Sequence, residues 1–359
     1  MKNFVFRICI LVFTVLPLIF LIQGAEASNW SYEDSPDKIS KTFNSFFEQL
    51  PLKAEISNKK IAWPANHWAN IDSGIAFRWT AANSNSFKYR SPSRQELKKY
   101  TEAQISELSP AEKFSIIIGD YNYQTVNLVW RETSPTEASW NGICHGVAPA
   151  SIDYEEPQQV IVKNYDGVPV KFYSSDVKAL LSFFYARIVK PSTNMMGIRC
   201  NSAEGTYNSG GQNCSGVNPA AFHIVLANKI GIQKKPFIAD IDRYLEVWNH
   251  VAINYESYIV DEYAPAATSA NGTVKRIRVQ SSVTYASAIA QSRTAVIGTG
   301  DAYYFDQPYD YFLDLDSIGR IIGGEWVGDI RPDFIWLQRK PNLFGKWKNL
   351  LRIYKPIVK

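Results

Sequence analysis

One thiol in this sequence is set where a nucleophile would be. Cys144 sits in the stretch SWNGICHGVAPASI, where Gly142, Gly146 and Ala148 leave little side-chain bulk around the sulfur. A loop running into a short helix that begins near Cys144 would hold the sulfur at a helix N-terminus, where free N–H groups and the helix dipole favour thiolate. The competing role for such a cysteine is a tight packing contact, so its partners decide. Thiol catalysis needs a base, and the chain has four histidines, His67, His145, His223 and His250. On a helix His145 would diverge from Cys144 by about 100° and is badly placed to take the thiol proton. His67 lies between Trp63 and Trp68 and reads as structural. His223 is the preferred base: AFHIVLAN alternates like a strand, with Phe222, Ile224 and Leu226 on one face and His223, Val225 and Ala227 on the other. His250 is its rival. The next strand-like run, KKPFIADID, offers Asp240 and Asp242 on one face to orient the imidazole, and Asp240 is preferred because Asp242 opens a polar turn with Arg243.

A helix must carry the thiol, and neighbouring strands the imidazole and the acid. Residues 28 to about 120 read as mostly helical. The apolar spacing of Ile39, Phe43, Phe46, Phe47 and Leu50 predicts a helix ended by Pro51, Ser91-Pro92 announces a second through RQELKKYTEAQISEL, and Ser109-Pro110 starts a third. From about residue 155 the period drops to two. VIVKNY and VPVKFY, joined by Asp166-Gly167, predict a β-hairpin, and VKALLSFFYARI, capped by Ser175 or Asp176, a buried helix. AFHIVLAN, KKPFIADID, EVWNHVAINYESYIV, TVKRIRVQSSVTYA and YDYFLDLDSIGRIIGGEWV then read as strands. The predicted fold is α+β, one domain over residues 28–359, with a helical N-terminal layer and a largely antiparallel sheet behind the Cys144 helix.

Hydrophobic residues make up 46% and charged residues 20%, which excludes a disordered or coiled-coil chain. Lys2 and Arg7, the apolar run from Ile8 to Ile22 and then Ala25-Glu26-Ala27 predict a secretory signal peptide over residues 1–27. An uncleaved anchor is disfavoured because the run falls short of the roughly 20 residues a membrane span needs. The product is therefore expected to be secreted, extracellular or periplasmic, with no stable membrane insertion. Without Lys2, Arg7 and Glu26 the chain keeps 36 basic and 33 acidic residues, too even a balance for a nucleic-acid partner. Cys9 leaves with the signal. Cys200 and Cys214 bracket the polar stretch NSAEGTYNSGGQN, which a disulfide can close with about 3 kcal/mol of loop entropy. Cys144 is left as the free thiol.

Four blocks, WNGICHGVAPA, CSGVNPAAFH, FIADID followed by EVWN, and LDLDSIGRIIGGEW followed by PDFIW, resemble the secreted transglutaminase elicitor family of oomycete plant pathogens and some bacteria. The likeness runs in consistent order over roughly residues 35 to 345. More broadly, the order helix-Cys, strand-His, next-strand-Asp is similar to papain-like and transglutaminase-like cysteine acyltransferases. The resemblance implies protein-glutamine γ-glutamyltransfer, with Cys144, His223 and Asp240 as the triad, and Asp242 or Asn249 as other holders of the acid's place. Cys144 would attack a glutamine side-chain amide, His223 would protonate the departing ammonia, and a lysine amine would resolve the thioester. The oxyanion would be held by the Cys144 N–H together with Trp140 Nε1–H or Asn141. Trp140, Trp248 and Trp326 could line an apolar approach for the lysine stem, although each also suits core packing. The implied partners are proteins bearing glutamine and lysine side chains. The same thioester in a secreted cysteine peptidase or amidase would be hydrolysed, and a non-catalytic elicitor or adhesin would have no reason to keep the triad.

The chemistry requires no cofactor, and calcium stays open as an accessory ion. Asp314, Asp316, Gly319 and Glu325 are spaced like a calcium loop, but Ile318 occupies a ligand position and no helix pattern flanks it, so a β-hairpin with a turn at Asp316-Ser317-Ile318-Gly319 is expected. No CxxC pair or HExxH occurs, and Cys144-His145 alone is not a zinc site.

Overall fold

The computed structural model describes residues 30–57, 61–80, 86–200, 215–241 and 243–356; the expected signal peptide, Cys214 and Asp242 lie outside them. Its helices are α1 (Arg94–Leu97), α2 (Glu102–Ser106), α3 (Pro110–Ile117), α4 (Gln124–Arg131), α5 (Cys144–Asp153), α6 (Ser174–Phe183), α7 (Pro219–Leu226) and α8 (Leu350–Ile353). The strands are β1 (Lys53–Glu55), β2 (Val160–Lys163), β3 (Pro169–Phe172), β4 (Thr193–Gly197), β5 (Phe237–Asp240), β6 (Asn249–Tyr263), β7 (Lys275–Ala286), β8 (Tyr304–Leu315), β9 (Ile321–Trp326) and β10 (Phe334–Gln338). The main sheet is antiparallel in the order β4-β10-β5-β6-β7-β8-β9, with β1 also paired to β6. The fold is α+β, with helices concentrated in the N-terminal half.

Local chemistry accounts for much of this. Ser109 and Glu112 cap α3 reciprocally with Pro110 in first position. The β2–β3 hairpin turns at Gly167 (φ +79°), and Asn164 Oδ1 accepts the N–H groups of Asp166 and Val168. The β8–β9 hairpin turns at Gly319 (φ +83°), with Asp316 Oδ1 accepting from the N–H groups of Ile318 and Arg320. Arg276 engages both Asp314 (2.8 Å) and Glu325 (3.0 Å), so the acids of the calcium-like spacing serve a hairpin.

Three expected elements differ. Residues Ile39 to Leu50 form short 3-10 turns instead of one helix: Phe46 bridges to Arg320 and Phe47 N–H donates to the Gly319 carbonyl, so this segment lies along the β8–β9 turn while Ile39, Phe47 and Leu50 enter the sheet's core. The second helix breaks into α1 and α2 because Thr101 caps a new start, exchanging bonds with Gln104. AFHIVLAN is helix α7, not a strand. Asn218 caps it by accepting from the N–H groups of Ala220 and Ala221, Pro219 is its first residue, and all eight of its residues are buried.

Two cores result. One joins the sheet to α7; the other fills the space among α3, α4, α6, α8 and the β2–β3 hairpin. Helix α5 belongs to both, giving Ala148 to the first and Ala150 to the second. Buried ion pairs brace the helical side. Lys178 reaches Glu156 (2.5 Å) and the Pro64 carbonyl (3.0 Å), while Glu156 accepts from the N–H groups of Val296 and Ile297. Removing one partner of such a pair leaves a buried charge uncompensated, at about 3–5 kcal/mol.

The helical α7 relocates His223. Its imidazole is buried, stacked on Phe47 (5.9 Å between centroids), with Nδ1 2.9 Å from the Tyr311 hydroxyl and Nε2 without a hydrogen-bond partner. Burial holds its pKa down to about 4, so the ring is neutral at pH 7. The unfolded chain takes this proton near pH 6.5 and the folded one only near 4, so stability is lost as pH falls through that window, by about 3 kcal/mol. His223→Gln should therefore lose about 3 kcal/mol less unfolding free energy than wild type between pH 7 and pH 4 in denaturant titrations. Identical pH dependence in the two proteins would contradict a neutral, buried His223.

Candidate active site

Cys144 is the first residue of α5, whose N-terminus receives no side-chain cap. The helix is gripped on both sides. Ile143 N–H donates to the His67 carbonyl (2.8 Å), and a Cβ on Gly142 would lie 2.5 Å from that oxygen. A Cβ on Gly146 would lie 2.2 Å from the Ser182 carbonyl oxygen, so α5 and α6 pack closer than any side chain permits. These glycines do more than clear room for the thiol.

The sulfur meets the start of β6. Sγ donates to the Val247 carbonyl at 3.5 Å and accepts from Asn249 Nδ2 at 3.5 Å. Trp336 Nε1 donates to Asn249 Oδ1 (2.7 Å), which leaves the amide nitrogen turned to the sulfur. Asn249 is paired in register with Asp240 on β5, and Phe334 of β10 pairs with Asp240 from the other side. Asp240 is fully buried, and its Oδ1 accepts the Trp248 N–H at 2.9 Å. The Trp248 indole in turn stacks on His250, with ring centroids 6.4 Å apart and planes within 22°. His250 Nδ1 lies 2.9 Å from the Ala286 carbonyl oxygen; a carbonyl only accepts, so Nδ1 carries the proton and Nε2 keeps its lone pair.

Two spaces open on Cys144. A narrow cavity of about 30 Å³ has Trp63, His67, Trp248 and His250 in its wall. A wide cleft of about 550 Å³ is lined by Trp140, Tyr185, Arg187, Arg199 and Trp336 among others. Burial pushes the Cys144 thiol up, the donors from Asn249 and His145 offset part of this, and the charge of Asp240 adds to the rise. The expected thiolate is thus a neutral thiol at rest. Burial also lowers the His250 imidazole, the Ala286 carbonyl opposing it, and His145 is pushed down to about 4 by burial and the Arg187 charge. Both rings are neutral at pH 7, the state in which an imidazole accepts a proton.

Cys144, Asp240, Trp140, Asn141 and Trp248 therefore gather at one place. His223 and Trp326 do not. His223 lines neither space, and Trp326 packs against Phe222 and Tyr311 with its Nε1 bound to the Val217 carbonyl. Asn141 borders the cleft, but its Nδ2 is spent on Glu137 (2.7 Å), so Asn249 supplies the amide at the sulfur. Trp336 was signalled only by PDFIW, whose apolar run hides which face it takes. Cys144 is a free thiol, and Cys200 is buried with its N–H donating to Asp333 (2.7 Å).

The profile of the transglutaminase elicitor family matches residues 131–345, more than half of the chain, a span that holds Cys144, Asp240, Val247, Asn249 and His250. The chain belongs to the transglutaminase elicitor family. Its enzymes are protein-glutamine γ-glutamyltransferases, and Cys144, a free thiol, lies within the matched residues. The crystal structure of the GP42 transglutaminase from Phytophthora sojae superposes with a TM-score of 0.68 at 21% identity, covering 91% of this chain and 97% of that one, so the fold is shared. No curated protein sequence matches. Among the described residues of this transglutaminase-family chain, no helix is long and apolar enough to cross a membrane and no cluster of three or more His, Cys, Asp or Glu is placed to hold a metal.

The neutral thiol has a measurable consequence. Iodoacetamide labelling of Cys144 in the native protein should rise with pH through a midpoint above that of an ordinary thiol, and Asn249→Ala, by deleting a donor that stabilises the thiolate, should move the midpoint higher. A midpoint at or below the ordinary range would refute the neutral resting state.

Proposed function

We propose that this family member transfers the γ-glutamyl group of protein-bound glutamine to a lysine or other primary amine, with Cys144 as nucleophile and His250, in place of His223, as base. The observation that carries this is the sulfur at an uncapped helix N-terminus, touched by Asn249 Nδ2, in a cavity whose wall holds His250. His250 takes the thiol proton as Sγ attacks the glutamine carboxamide carbon. The tetrahedral oxyanion is stabilised by N–H groups of the α5 terminus and by Asn249 Nδ2, with Trp140 at the rim of the cleft. The imidazolium returns its proton to the departing nitrogen, ammonia leaves, and a thioester remains. An amine then attacks the thioester, losing its proton to His250, and the thiol is regenerated. Asp240 acts through Trp248: its bond to the Trp248 backbone N–H holds the residue whose indole stacks on His250.

This sequence of steps uses no cofactor. The signal-peptide pattern and the family together support secretion, with extracellular or periplasmic proteins as substrates. A Cys200–Cys214 disulfide fits that compartment.

Incorporation of a fluorescent primary amine into a glutamine-rich protein, with ammonia release, tests the reading. Cys144→Ala should abolish it. His250→Ala should lower kcat/KM by about 10²–10⁴-fold, whereas folded His223→Gln should stay within a few-fold of wild type and His67→Gln should lose less than about tenfold. Peptide release without amine incorporation would overturn transfer, and a loss in His223→Gln or His67→Gln as large as in His250→Ala would overturn the base.

A further inference from the structure

We infer that the wide cleft beside Cys144 is the acyl-donor subsite and selects glutamines whose flanking residues are acidic, with Arg187 and Arg199 as the determinants. The inference rests on the transglutaminase reading of Cys144. Among the described residues, those lining the cleft include two guanidinium groups and no carboxylate. Arg187 stands at the end of the π-helical turn that follows α6, and its Nε meets Glu132, which is outside the lining, at 3.1 Å. Arg199 follows β4, is exposed, and makes no ion pair among the described residues. Gln338 at the end of β10 adds a third donor: its amide nitrogen is buried, lies in the cleft wall and has no hydrogen-bond partner. A wall that offers donors and positive charge calls for carbonyl and carboxylate oxygens from its occupant.

The same charges settle which substrate enters here. A lysine-bearing segment brings a cation toward two guanidinium groups, which repel it, whereas the glutamine side chain is neutral and its neighbours can supply the missing anions. Trp140, Tyr185 and Trp336 give an aromatic floor for the segment's backbone and apolar stems, and leave charge recognition to the arginines. Arg199 faces solvent and Arg187 is partly compensated by Glu132, so the preference is moderate in size and screened by salt.

Binding measured without turnover separates this inference from the chemistry. Full-length Cys144→Ala protein is titrated with three fluorescent glutamine peptides of one sequence, flanked by glutamate, serine or lysine, and followed by anisotropy. The glutamate-flanked peptide should bind roughly five- to tenfold tighter than the lysine-flanked one, with the serine peptide between them. The advantage should shrink between 50 mM and 500 mM salt and collapse in the Arg187→Gln, Arg199→Gln double variant, whose fold is checked by circular dichroism. Equal affinity for the three peptides, or a preference that survives in the double variant, overturns the inference. A preserved glutamate preference in a wild-type protein that incorporates no amine would instead overturn the transglutaminase reading and leave the charge selection standing.

Discussion

Everything at this site depends on how close the first turn of α5 can come to the start of β6. A thiol can be fixed by Val247 and Asn249 only if the helix carrying it is held at one depth. That depth is set by two glycines, since a Cβ at Gly142 would enter the His67 carbonyl and one at Gly146 the Ser182 carbonyl. The contact is backbone against backbone on both sides, where neither neighbour can swing away. Interiors this dense behave as rigid bodies, and a misplacement of about 1 Å in a catalytic group can cost 10²-fold in rate.

The same closeness explains the electrostatics. Seating the thiol between two cores removes it from water and raises its pKa, and the buried Asp240 adds to that rise. A neutral thiol does not attack an amide readily, so the site must supply the proton acceptor at the moment of reaction. His250 is the acceptor we propose: it shares a cavity with the thiol, burial lowers its own pKa and the Ala286 carbonyl fixes its tautomer. Asp240 adds to this by disfavouring the resting thiolate, since its buried charge raises the thiol further. The two pKa shifts oppose a charged resting pair and suit a reaction that creates charge only in passing.

Much of this was legible in the sequence, and the failures share a cause. Gly142, Gly146 and the small residues after Cys144 marked the close packing around the thiol because close approach can be read from residue size. Asp166-Gly167 marked its hairpin because that turn demands positive φ. Helix α7 was misread because all eight residues are buried: with no polar face the 3.6-residue period vanishes, and AFHIVLAN alternates by accident of residue size. Its start was nevertheless written in Asn218-Pro219, a local cap that the periodicity argument outvoted. With α7 taken as a strand, His223 was preferred to His250, although His250 lies in the strand paired with β5, and the register facing Asp240 is a nonlocal fact that spacing cannot reveal. The segment from Ile39 to Leu50 failed similarly, Phe46 bridging to Arg320 in a hairpin far along the chain.

The central claim is a covalent one, that the acyl group resides on Cys144 between the two half-reactions. Wild-type protein mixed with a glutamine peptide and no amine, quenched in acid and digested, shows by mass spectrometry where the acyl group is held. The account predicts a Cys144 peptide heavier by the mass of the glutamine peptide less ammonia, which disappears when a primary amine is added before the quench. Amine incorporation in the full reaction without any acylated Cys144, or with the acyl group on another residue, would contradict it.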